Sequence, residues 1–136
     1  MKVVFSKPSL PEKGVVVVGV LDGRKFTASA ARLDKSLKGA LTRAVKASVF
    51  KGTKGQTLTI LAPGDGKISR VLMMGLGKAK DINDLRLQSA GGTIYGALNR
   101  IGATAISVLV DDIDGCGIKA AEQASEMGFG ARLRSY

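Results

Sequence analysis

Two stretches of this chain carry residues whose type and spacing could do chemistry. The first is Arg70–Lys78, an apolar run closed by Gly75-Leu76-Gly77-Lys78 just before a helix-like segment. A buried strand ending in glycines at a helix start is where many α/β proteins hold phosphate, because free backbone N–H groups and the helix dipole both favour an anion. The spacing excludes two nucleotide templates. A Walker A loop needs glycine at position 72 and Ser or Thr after the lysine, but the chain has Leu72 and Ala79. A dinucleotide fingerprint needs glycine at position 80, which is Lys80. A looser ligand turn at Gly75 and Gly77 remains, for ADP-ribose or another phosphate ligand. The plain alternative is a tight turn leaving a strand.

The second stretch is Asp111-Asp112-Ile113-Asp114, which follows an apolar segment. Carboxylates there could take a hard cation such as magnesium, but helix capping is the simpler use for them. Cys116 lies between Gly115 and Gly117, and the chain has no histidine to activate it. The lack of histidine also removes Ser-His-Asp catalysis and every His-based metal site. A single cysteine cannot close an internal disulfide.

Lysine plus arginine number 21 against 11 acids, a net charge of +10. That balance favours polyanions, and a basic DNA-binding module is one reading of it. Lys51, Lys54, Lys78, Lys80 and Arg100 fall in or near expected turns and could share a sheet edge as nucleic-acid or anion contacts. Aromatic residues are only 4%, so stacking on single-stranded bases is poorly supplied. The charges are also scattered along the chain, as on an ordinary solvated surface.

The elements that must position these residues read as α/β. The chain's 136 residues suit one domain. Val3–Ser6 reads as a short strand. Val15–Leu21, β-branched and apolar on both faces, reads as a central buried strand, with Arg24–Phe26 as a hairpin partner. Leu33, Leu37, Leu41 and Val45 make one helical stripe. Thr57–Leu61, Arg70–Met74 and Ala105–Val110 read as further strands. Asp81 or Asn83 should cap a helix carrying Leu87, Ile94, Leu98 and Ile101, its Gly91-Gly92 pair letting it lie close to the sheet. Gly102 is expected just past its C-cap, and Asp112 or Asp114 should start a last helix. The pattern predicts a single three-layer α/β domain, a mixed, mostly parallel sheet between helices. No signal peptide core and no apolar run near the ~20 residues of a membrane span are present, which points to the cytoplasm and away from membranes.

Taken in order, Val17-Val18-Gly19-Val20-Leu21-Asp22-Gly23-Arg24-Lys25, Phe50-Lys51-Gly52-x-x-Gly55-Gln56-Thr57-Leu58, Arg70–Lys78 and Gly128-Phe129-Gly130-Ala131 resemble the N-terminal domain of leucyl aminopeptidases, the cytosol aminopeptidase family. The likeness covers nearly all of residues 1–136. It implies a macro-domain-like fold and a parent hydrolase that releases N-terminal amino acids from peptides with two divalent metals, zinc or manganese. In that family the ligands are Lys, Asp and Glu in a C-terminal domain, with a motif like Asn-Thr-Asp-Ala-Glu-Gly-Arg that is absent here. The resemblance therefore carries over no catalytic and no metal residue, and it implies that this chain alone is inactive. Residues 129–136 are expected to begin the connector to the catalytic domain. Implied partners are that domain and other subunits of a homohexamer, and some bacterial relatives bind DNA.

Overall fold

The computed structural model describes residues 2–6, 10–11, 13–64, 66–103 and 105–136. Among the described residues six strands form one sheet: β1 (Lys2–Ser6), β2 (Lys13–Leu21), β3 (Lys25–Phe26), β4 (Thr57–Leu61), β5 (Lys67–Gly77) and β6 (Ala105–Leu109). Their order is β1-β6-β2-β5-β4, with β3 beside the end of β2. The β1–β6, β6–β2 and β2–β5 pairs are parallel, while β3 pairs antiparallel with β2 and β4 antiparallel with β5. The expected mixed, mostly parallel sheet is therefore present.

β2 is central because both its faces are buried. Val15 and Val17 enter one apolar cluster and Val16, Val18 and Val20 the other. Each such side chain contributes roughly 1.5–3 kcal/mol by leaving water. One cluster lies under α3 (Asp84–Arg100) and α4 (Ala120–Ser135), the other under α1 (Ala28–Ser36) and α2 (Ala40–Lys46). The sheet is thus covered on both faces, as parallel strands require.

The single stripe expected through Leu33, Leu37, Leu41 and Val45 is divided between two helices. α1 closes through the N–H of Lys38 to the carbonyl of Lys35 (3.1 Å) and that of Gly39 to Asp34 (2.8 Å), a Schellman closure. Lys38 and Gly39 both have positive φ, +57° and +82°. The Asp34 carboxylate then accepts the N–H and hydroxyl of Thr42, capping the first turn of α2. The break turns the chain while Leu33, Leu41 and Val45 stay buried.

α3 starts at Asn83, whose side chain accepts the Arg86 N–H at 2.8 Å; Asp81 ends a short 3₁₀ turn instead. Leu87, Ile94 and Leu98 are buried, but Ile101 is the C-cap and is exposed. Gly102 follows it with φ +71°, as expected. The Gly91-Gly92 expectation needs correction. Gly91 faces α4, not the sheet: a Cβ there would stand 1.9 Å from the Met127 carbonyl oxygen. Gly130 of α4 meets the Gln88 carbonyl equally closely. Small residues here serve a backbone contact between two parallel helices. α4 begins at Ala120, whose N–H donates to Asp112 (2.8 Å), and residues 129–135 continue it as helix. No helix among the described residues is long and apolar enough to cross a membrane.

Candidate functional site

Gly75 and Gly77 are not a turn. Both belong to β5, opposite Val20 and Leu21 of β2. The loop 52–56 folds over them and uses their backbone. Gly75 donates to Gln56 (2.7 Å) and accepts from Gly55 (3.2 Å), while Gly77 donates to Gly52 (2.9 Å) and accepts from Asp22 (2.9 Å). A Cβ on Gly75 would lie 2.1 Å from the Thr53 carbonyl oxygen, so glycine is needed there for close approach. A phosphate cradle requires free N–H groups. Those of Gly75 and Gly77 are spent.

The C-terminal ends of β2, β5 and β6 frame a cleft of about 670 Å³, with Asp22, Lys25, Lys78, Asp112 and Asp114 on its walls. This is where ligands bind in open α/β sheets. The start of α1 opens nearby, but its anion position is already filled. Asp111 accepts the Ser29 N–H (3.1 Å) and the Ser29 hydroxyl (2.7 Å). Thr27 caps the same turn by accepting from Ala30. Buried Gln123 then fixes the Asp111 backbone, donating to its carbonyl (2.9 Å) and to that of Ile118 (3.0 Å).

Two of the three aspartates considered for a cation thus hold helix starts, Asp111 for α1 and Asp112 for α4. Among the described residues no three of His, Cys, Asp and Glu are grouped to hold a metal. The Cys116 thiol is half-buried, 3.6 Å from the Ile118 carbonyl oxygen.

The five candidate cations do not form one site. Lys54 lines a groove of about 330 Å³ with Gly75, Asn83 and Arg86. Lys78 lines the separate 670 Å³ cleft. Lys51 is exposed in the loop over β5, and Lys80 is exposed in the 3₁₀ turn. Arg100 ends the 17-residue α3, about 25 Å of helix from Asp84 and near the start of β6, at the opposite end of the parallel strands. There it complements the negative end of the helix dipole. Arg86 was missed from sequence. It lies three residues after the Asn83 cap and reaches back to the Leu76 carbonyl (3.4 Å), a spacing that was open to notice.

Residues 17–136 match the cytosol aminopeptidase family, N-terminal domain. The chain belongs to this family. Its whole length is 36% identical over 136 residues to a probable cytosol aminopeptidase of Rhodopseudomonas palustris, of which it covers 27%. A probable cytosol aminopeptidase of Thioalkalivibrio sulfidiphilus is 37% identical over 109 residues, 77% of this chain and 22% of the relative. The chain therefore spans about a quarter of the length of these cytosol aminopeptidases, as an N-terminal domain. Among solved structures, a mutant tomato leucine aminopeptidase superposes with a TM-score of 0.76 at 23% identity, covering 100% of this chain and 28% of that one. The bottromycin maturation enzyme BotP gives 0.63 at 25% identity, over 91% of this chain and 23% of that one. The macrodomain of Mycobacterium tuberculosis DarG gives 0.71 at 9% identity, over 97% and 91%. The tomato and DarG likenesses are of fold, and the cytosol aminopeptidase domain is macro-like in that sense. A shared fold carries no ligand site with it.

Proposed function

We propose that this chain is the non-catalytic N-terminal domain of an aminopeptidase that releases N-terminal amino acids from peptides. In this reading two divalent metals, zinc or manganese, are held by a catalytic domain in the rest of the protein. The observation that carries it is that the full chain aligns with only about 27% of its relatives. The local chemistry is consistent with that: Asp111 and Asp112 are engaged in holding helices. BotP, a structural neighbour, has been solved in complex with Mn, which supports a metal in the longer protein. The domain's role is then to pack against the catalytic domain and support assembly into a homohexamer in the cytoplasm.

The test is hydrolysis of leucine p-nitroanilide with manganese or zinc added. The 136-residue chain is expected to show no turnover, while a full-length relative under the same conditions hydrolyses the substrate. Activity that tracks the 136-residue protein through purification overturns the reading. For the assembly role, a full-length relative lacking this domain should elute from a sizing column as smaller oligomers; an unchanged hexamer would count against it.

A further inference from the structure

β4 pairs with β5 on one side and with no other described strand. The register shows which of its backbone groups are in use. Ala62 donates to Ser69 (2.9 Å) and Gly75 to Gln56 (2.7 Å), which are the bonded pairs flanking the strand. Bonded pairs alternate in an antiparallel ladder. Leu58 and Ile60 therefore direct N–H and C=O toward β5, and Thr57, Thr59 and Leu61 direct theirs outward.

Edge strands are commonly blunted by charge, proline or short length. The sequence Thr-Leu-Thr-Ile-Leu has neither charge nor proline. Leu58 and Ile60 pack against the cluster under α1 and α2, and Leu61 is 64% exposed.

The segment that contains this edge is basic in sequence. From Arg32 to Arg70 the chain has nine lysines and arginines against two aspartates, and Asp34 is already engaged with Thr42. Arg43 and Lys46 lie on α2, the helix that packs on β4. Lys38 and Arg43 also line a cleft of about 720 Å³ where the α1–α2 turn meets the β4–β5 hairpin, floored by Leu37 and Ile68.

We propose that the β4 edge binds an extended acidic peptide segment of a partner protein, added to the sheet as a further strand. Outward amides every second residue, about 6.8 Å apart, match a β-strand. A second copy of this chain would bring +10 against +10, which disfavours it at low salt. Acidic side chains on one face of the incoming strand would lie on the α2 side, beyond the Leu58–Ile60 row, while its apolar ones would lie on the opposite face beside Thr57, Thr59 and Leu61.

The probe is a short labelled peptide alternating Val and Glu, followed by fluorescence anisotropy with the 136-residue chain. We expect saturable binding that weakens with salt, and none by the Val/Lys counterpart. Methylating alternate backbone nitrogens of the peptide keeps its charge and should weaken binding at least about tenfold (~1.4 kcal/mol). Thr59→Pro removes an outward donor at a position where an edge strand tolerates proline, and should weaken binding equally with an unchanged circular dichroism spectrum. If that variant unfolds, the methylated peptide still decides. Equal binding of the methylated peptide, absence of binding at low salt, or duplex DNA binding as tightly as the Val/Glu peptide overturns the proposal. So does self-association that Thr59→Pro abolishes, since the edge would then belong to a second copy.

Discussion

Gly91 and Gly130 sit inside helices, where glycine costs about 1 kcal/mol relative to alanine. Each nevertheless lies where a Cβ would stand 1.9 Å from a carbonyl oxygen of the facing helix. The contact outweighs the propensity. Gly91→Ala and Gly130→Ala should each lower urea stability by at least about 2 kcal/mol. Gly92→Ala, whose new Cβ finds no neighbour nearer than 3.6 Å, should instead gain up to about 1 kcal/mol. Three similar values would contradict this packing. Asp111→Ala should cost about 1–3 kcal/mol, because the fully buried Ser29 loses the acceptor of its N–H and hydroxyl. Exposed Asp114→Ala should stay within about 0.5 kcal/mol in the same assay. The triplet of aspartates was visible in sequence, but the division of labour within it was not. Ser29 lies 82 positions from Asp111, and only the folded sheet brings them together.

Local elements were readable because each rests on neighbours in the chain. The run Val15–Leu21 announced a strand buried on both faces, and Asp81 or Asn83 announced a helix start, which Asn83 supplies. Two elements were obscured, each for a physical reason. The four-residue spacing of Leu33, Leu37, Leu41 and Val45 persists across the turn at Lys38-Gly39, so one stripe spans two helices. β5 continues through Gly75 and Gly77 because a loop from positions 52–56 closes over them, a pairing that local pattern cannot display. The turn at Lys38 also offers a measurement. A non-glycine residue at φ +57° carries about 1 kcal/mol of strain. Lys38→Gly should raise the thermal midpoint by a few degrees, and Lys38→Val should lower it. A midpoint unchanged in both variants would mean that the α1–α2 turn carries no strain.

Over the whole molecule, the layered α/β architecture followed from the alternation of buried strands and amphipathic helices. The family likeness was legible in the order of four glycine-rich segments, each weak alone. The charge distribution was not. Lys54 and Lys78 come to different grooves, and Arg100 is carried along α3 to the start of β6, none of which the local sequence displays. The register gives a direct check by hydrogen exchange. Amides of Val16–Val18 and Val71–Met73, at the sheet centre, should exchange slowest, through global opening. Those of Thr57, Thr59 and Leu61 should exchange orders of magnitude faster than their neighbours Leu58 and Ile60. Uniform protection along β4 would show that its outer edge is covered.

The glycine contact between α3 and α4 also has a mechanical meaning. The two helices run parallel, and their backbones touch at Gly91 and Gly130 with no side chain between them. A load applied at Tyr136 along the axis of α4 would meet peptide planes wedged against peptide planes, not a layer of adjustable rotamers. It would stress the interface in shear over several turns at once. Helix α4 would act as a stiff lever on the sheet, passing displacement at its C-terminal end to the core with little slack.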